Sequence, residues 1–347
     1  VAATPYTAHD TPALVARIDG DLAVVLAAVR AADPRLRALV LTGGFARGEG
    51  TVLDGAPQND YDFVAVRGLG PPKTPYAQVR AALEERLGLH VDLAAVPAWR
   101  LRWTAPSIFW YETALRGRTL WGADLLQGIP TREADQIGRT EGLRLLANRA
   151  AGLLLATEMT QAHAVRIQSA KAILAALDAH LLAGGSFAPS QTERWTLVQG
   201  LIAARVATPA IVDDLPLWTW AHAFKADPAA AVPLNSDQAW EAARGAILAA
   251  IPAALERAGL PSLEAHRHGD RLLDRLAYGW RARNVDGAHR LLLNPSSRLR
   301  IATLRLLEAT PQRRIDRREA VRCLAGLARV GPEPLRTLEG LRAAALQ

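Results

Sequence analysis

One cysteine, Cys323, in 347 residues excludes an internal disulfide framework and a cysteine-rich zinc site. Lysine is almost as scarce. It stands only at positions 73, 171 and 225, so arginine supplies nearly all the positive charge behind the formal net of +7. No run approaches the roughly 20 apolar residues that a membrane span needs. Residues 1 to 10, "VAATPYTAHD", have neither the basic start nor the apolar block of a secretory leader. A cytoplasmic protein without a membrane partner is expected. Hydrophobic residues, at 50%, supply core for two ordinary domains. The arginine surplus suits phosphate-bearing partners, because the guanidinium fork matches phosphate oxygens, but by itself it argues only weakly for nucleic acid.

The apolar spacing of residues 11 to 32 behind a Thr-Pro start predicts a helix. "LRALVLTG" (36 to 43) and "YDFVAVRG" (61 to 68) are short apolar runs closed by glycine, the pattern of buried strands. "PYAQVRAALEERLG" (75 to 88) reads as a helix ended by Gly88, and "LHVDLAAVP" (89 to 97) as a third strand. From about residue 131 the chain is rich in alanine and leucine at helical spacing, broken by glycine and proline at 183 to 190 and near Pro209, Pro228, Pro233 and Pro261. The tryptophans at 195, 218, 220 and 240 are expected to pack between helices.

The chemistry concentrates in "LTGGFARGEGTVLDGAPQNDYDFVAV" (41 to 66). A glycine turn leaving a strand can press backbone N–H groups against an anion, and Gly43, Gly44, Gly48 and Gly50 with Arg47 fit that need. Asp60 and Asp62 alternate on a strand, so their side chains share a face about 7 Å apart. Such carboxylates repel unless cations sit between them, and two Mg²⁺ ions roughly 3.5–4 Å apart are the usual solution. Asp92, in the middle of the next strand, adds a third acid. Each feature alone has a plainer reading, as a tight turn with a surface arginine or as loop-capping aspartates. Jointly they request a metal-bound nucleoside triphosphate.

These residues resemble the nucleotidyltransferase superfamily typified by DNA polymerase β, whose pattern is a strand, a Gly-Gly or Gly-Ser turn, a short helix, a strand bearing Asp-x-Asp, and a third acid on a later strand. "GGFARGEG" matches the turn, "DYD" the pair and Asp92 the third acid. "YETALRGRTLWGAD" (111 to 124) is similar to the stretch that closes this domain in small bacterial members, and "RIQSAKAILAALDAHLLAGG" to a helix whose lysine, here Lys171, faces the active site. The resemblance implies an α+β fold, with a small mixed-sheet nucleotidyltransferase domain over residues 1–128 and a mostly α-helical domain over 129–347. It further implies Asp60, Asp62 and Asp92 as ligands of two Mg²⁺ ions, with Gly43, Gly44, Arg47 and Lys171 on the nucleotide, for which ATP is favoured. Nucleoside monophosphate would pass to an acceptor hydroxyl, for preference on a small molecule, with release of pyrophosphate. Two departures stand out. Gly44 replaces the commoner serine, and "TVLDGAPQN" reads as a loop insertion before Asp60.

Rival readings fit less well. "TGGFARGEG" lacks the Gly-x-Gly-x-x-Gly spacing of dinucleotide folds, and no Gly-Lys-Ser/Thr follows it. "HGD" (268 to 270) suggests a kinase catalytic loop, but Arg275 stands where asparagine belongs, and His266 and His268 read as exposed helix residues. A silent nucleotide-binding or antitoxin-like interaction module is the non-enzymatic alternative, and RNA, DNA or protein are the alternative acceptors. The arginine-rich stretch 298 to 322 could follow a polynucleotide, but Glu308, Asp316 and Glu319 make it a mixed, solvated helix face.

Overall fold

A computed structural model describes residues 5–58, 60–231, 234–263 and 295–314. His266, the "HGD" tripeptide, Arg275, Cys323 and the arginine-rich stretch past residue 314 lie outside them. The described residues form two compact units. The first takes the chain up to Gly138 with Phe187–Arg205 and Ala223–Ala231; the second takes Arg139–Ser186, Val206–His222 and the described residues from 234 onward.

In the first unit, helix α1 (Pro12–Ala32) starts where the Thr11 side chain accepts the Leu14 N–H, with proline at the first helical position. Leu14, Ile18, Leu22, Val25 and Val29 recur at helical spacing and are buried. They pack on a four-stranded sheet of order β5-β4-β1-β6. Strand β1 (Leu36–Thr42) pairs antiparallel with β4 (Tyr61–Arg67) and with β6 (Arg118–Gly122), while β4 pairs in parallel with the edge strand β5 (Val91–Pro97). A parallel neighbour needs a crossover. Helix α3 (Tyr76–Leu87) supplies it, stopped by Gly88 in the left-handed conformation at φ 69°.

Strand alternation divides the sheet between two cores. Leu39, Leu41, Tyr61, Phe63 and Ala65 meet α1 and α3. Ala38, Val40, Val64, Val66 and Val96 face the other way, toward Leu101, Trp110 and Ala114. The last two belong to α4 (Ile108–Arg116), which Ser107 caps by accepting the Trp110 N–H at 3.3 Å. Between β1 and β4 lie the four-residue helix α2 (Gly43–Ala46) and a hairpin of β2 (Val52–Leu53) and β3 (Ala56–Pro57). The stretch read as a loop insertion is thus an ordered hairpin. Asp54 and Gly55 both take positive φ, 52° and 75°, as a two-residue Asp-Gly turn requires.

Polar ties fix the sheet. Asp33 accepts Arg67 Nε at 2.5 Å and the Tyr76 hydroxyl at 2.9 Å. Burial works against its charge, but Arg67, the Arg35 N–H and Tyr76 outweigh it and hold the carboxyl below its ordinary value. Helix α7 (Gln191–Ala203) also counts with this unit.

In the second unit, helix α6 (Ala162–Ala183) is buried without interruption from Ala172 to Leu182, and packs on α5 (Glu141–Ala156) and α10 (Ser236–Ala258). Short α8 (Pro209–Asp213) leads to α9 (Leu215–Ala226), whose last residues count with the first unit, and α11 (Pro295–Glu308) packs on α5. Trp218 and Trp240 are fully buried, and their indole N–H groups donate to the carbonyls of Ile211 and Leu153. Packing, not stacking on a ligand, is their role. The molecule is therefore α+β, a small mixed sheet plus a helical region. Among the described residues no helix is long and apolar enough to cross a membrane.

Candidate functional site

Register brings the acids of the first unit into line. Thr42 on β1 stands opposite Asp62 on β4, which stands opposite Asp92 on β5. Partners in a sheet share a face, and adjacent strands are about 4.8 Å apart. The three side chains therefore form a row across the sheet end, on the face that carries Val40, Val64 and Val96 further along. Asp60 immediately precedes β4 and is half-buried.

Gly43 follows Thr42 at φ 67°, and a Cβ there would sit 1.8 Å from Asp62 Oδ2. The Asp62 carboxylate thus lies directly on the first glycine of the turn. Only a residue without a side chain allows both the backbone conformation and that approach. Gly44 is buried in α2. The Thr42 hydroxyl is buried and has no hydrogen-bond partner among the described residues, although its residue is only 2% exposed. A buried polar atom left in this state is uncommon and calls for a partner that the described residues do not supply.

The rest of the turn is committed to itself. The Arg47 N–H donates to the carbonyls of Gly43 and Gly44, the Glu49 N–H to Gly44, and the Gly50 N–H to Tyr6. The anion cradle read from "GGFARGEG" narrows accordingly to its first residues. Arg47 is committed too. Its Nε pairs with Glu49 at 3.0 Å and its Nη1 with Glu112 of α4 at 2.8 Å. Burial disfavours its charge, but Glu112, then Glu49, and more weakly Asp62, overcome that and hold the guanidinium firmly protonated. Arg47 therefore acts on Asp62 through its field while its hydrogen bonds fasten the turn.

That fastening extends through Glu112, which also pairs with Arg194 of α7, a side chain only 3% exposed. Arg194 stacks over Phe187 at 4.0 Å and donates to the Ala188 carbonyl at 2.7 Å. Glu49 accepts the Thr192 N–H at 2.9 Å, in the first turn of α7. This half-buried chain of alternating charge, with Arg194 fully inside, is the largest feature that sequence reading missed.

Asp92 is more open, its side chain 55% exposed, and lies 3.4 Å from His90 Nε2; His90 Nδ1 in turn lies 2.5 Å from Glu84. Among the described residues no three His, Cys, Asp or Glu side chains are grouped closely enough to hold a metal. The expected third acid is in register with Asp62, but it is turned toward a histidine. Lys171 lies on α6 in the second unit and is half-buried. A concavity of about 240 Å³ in the first unit, between Ala114, Asp124, Leu126 and Thr131, includes none of the three aspartates.

The arrangement offers hard oxygen donors beside a glycine that presents bare backbone, the donor chemistry that suits Mg²⁺. No protein-family model, curated protein or solved structure matches the chain.

Proposed function

We propose that the first unit is a Mg²⁺-dependent nucleotidyltransferase that moves a nucleoside monophosphate from a triphosphate, for preference ATP, to an acceptor hydroxyl on a small molecule. The observation that carries this reading is the contact of the Asp62 carboxylate with Gly43, with Asp92 in register beside it. One short span thereby offers phosphate-accepting backbone and metal-ligating acids together. The order of β1, Gly43-Gly44, short α2, β4 with Asp62, and β5 with Asp92 also agrees with the family pattern.

Asp60, Asp62 and Asp92 would hold the ions, and the buried Thr42 hydroxyl beside them fits as a donor to a phosphate oxygen. When bound, Mg²⁺ neutralises phosphate charge and polarises the reacting phosphorus. The chain's own residues do the rest. Gly43 and Gly44 let phosphate approach the backbone, and the Thr42 hydroxyl, two residues before the Gly44 that stands in place of serine, donates to it. The field of Arg47 favours polyanion next to Asp62. Asp92, open to solvent, takes the acceptor's proton as its oxygen bonds to the α-phosphorus. The α–β bridging bond breaks and pyrophosphate leaves.

A silent nucleotide-binding or interaction module is the second reading. It is favoured by the turning of Asp92 toward His90 and by the absence, among the described residues, of a grouped metal set. Calorimetry with Mg²⁺ and each of the four triphosphates, paired with pyrophosphate release, decides between them. Binding and turnover are expected, with Asp62→Asn reducing turnover to background while thermal melts stay unchanged. A folded protein that binds none of the four leaves only the interaction module, and normal turnover by Asp62→Asn removes the acids from the chemistry.

A further inference from the structure

Strand β5 runs into a 3-10 helix, Ala98–Trp103, of sequence "AWRLRW". Residues three apart eclipse in such a helix, so it has three faces. Burial follows that period. Ala98 and Leu101 pack into the core beneath Val96, and Thr104 continues their row, while Trp99, Arg100, Arg102 and Trp103 are all exposed. One outer face therefore pairs Trp99 with Arg102, and the other pairs Arg100 with Trp103.

The exposure is unusual for so large a side chain, 60% for Trp99 and 78% for Trp103. The side chains of the two arginines make no hydrogen bond or ion pair among the described residues. A third cation stands at the end of the turn, where Arg132 donates to the Thr104 carbonyl at 2.5 Å. No acid occurs between Asp92 and Glu112 in the chain. The surface thus offers one flat π face and one unpaired positive charge on each outer face of the turn.

We propose that this turn is a binding platform for single-stranded polynucleotide, with bases stacking on Trp99 and Trp103 and backbone phosphates meeting Arg100 and Arg102. Charge complementarity and the pairing of one ring with one cation on each outer face select this occupant, since every nucleotide carries one base and one phosphate and base–aromatic stacking tolerates any sequence. A lipid surface is disfavoured, because the tryptophans project from different faces and do not form one apolar side to lay on a bilayer. The proposal does not rest on the nucleotidyl-transfer reading. It concerns side chains beyond the end of β5, whose rise from Asp92 to Pro97 alone spans roughly 17 Å.

The test is fluorescence anisotropy of the full chain with labelled oligo(dT) and oligo(rU) of about 12 nucleotides, at about 50 mM and about 200 mM salt. Salt-sensitive binding is expected. Trp99→Ala and Trp103→Ala should each weaken it roughly tenfold or more, and Trp103→Phe should recover most of that loss. The double variant Arg100→Ala/Arg102→Ala should reduce the log–log salt slope by about 1.4. Asp62→Asn should bind as the native chain does, which separates this platform from the acids. No binding at the lower salt overturns the proposal. So does binding that the tryptophan variants leave unchanged, which would assign it to the arginine-rich stretch, and so does association with anionic phosphatidylserine vesicles in place of oligonucleotide.

Discussion

In the first unit several charged groups that leave solvent are tied side chain to side chain: Asp21 to Tyr61, Asp33 to Arg67 and Tyr76, and Glu112 to both Arg47 and Arg194. In the second, the buried stretch of α6 is mostly alanine, leucine and isoleucine, with Asp178 and His180 as its polar exceptions, and its neighbours come close because most contact residues are small. Gly142 of α5 shows this. A Cβ placed on it would meet Ala254 at 3.5 Å and Ala179 at 3.8 Å, ordinary contact distances. One unit is specified by directional bonds between particular partners, the other by shape. Directional bonds fail when one partner is lost, because the other stays buried and unpaired. Shape fails by degrees.

Glu112→Ala should show the largest stability effect. It leaves Arg47 and Arg194 without their shared carboxylate, and removing one partner of a buried ionic network costs about 3 kcal/mol or more. Denaturant unfolding followed by tryptophan fluorescence measures it; a loss below about 1 kcal/mol would mean that the network is solvated and contributes little.

Gly43→Ala comes next. Left-handed backbone costs a residue with a Cβ roughly 1–2 kcal/mol, and the new methyl would displace the Asp62 carboxylate. Turnover should fall further than stability does, as read by pyrophosphate release beside a melt. Equal turnover would show that Asp62 does not need the position it holds against Gly43.

Gly142→Ala is the matched opposite. The space is adequate and the site is helical, so the change should stabilise by about 0.5 kcal/mol. Destabilisation would show that α5 and α10 are closer in solution than shape packing requires.

The smallest effect is a pH dependence. Burial depresses the His180 pKa below its ordinary 6.5, with Asp214 opposing weakly. The unfolded chain then binds the proton more readily, so this contribution is full above pH 6.5 and is lost as pH falls through the folded value. Melting temperature should drop from pH 7.5 toward 5.5, and His180→Leu should flatten the drop. A native melt with no slope across that range removes His180 as a titrating group.

The sheet of the first unit was legible where local pattern and global fold agree. The runs at 36 to 43, 61 to 68 and 89 to 97 became β1, β4 and β5 within two residues at each end, and the helix read at 75 to 88 became α3. Asp62 and Asp92 could be suspected of sharing a face from alternation alone; their register could not, because it depends on how α3 returns the chain. Strand β6 escaped notice, since "RTLWG" is half-buried from Arg118 to Trp121 and does not alternate. The "DG" of the β2–β3 hairpin was an available signal that was read as a loop. The charge chain was out of reach. Glu112 finds Arg47 across 65 residues and Arg194 across 82, and no spacing rule links positions so far apart.

That last separation has a consequence for biosynthesis. Glu112 and Arg194 belong to one compact unit, yet 82 residues of chain must be made between them, much of it belonging to the other unit. At translation rates of about 5–20 residues per second, the carboxylate waits roughly 4–16 s for its second guanidinium. During that interval the nascent unit can complete its sheet but not its charge chain. A ribosome pause after residue 138 would therefore prolong an incompletely tied form of the first unit, and a fragment cut there would hold it in that form permanently.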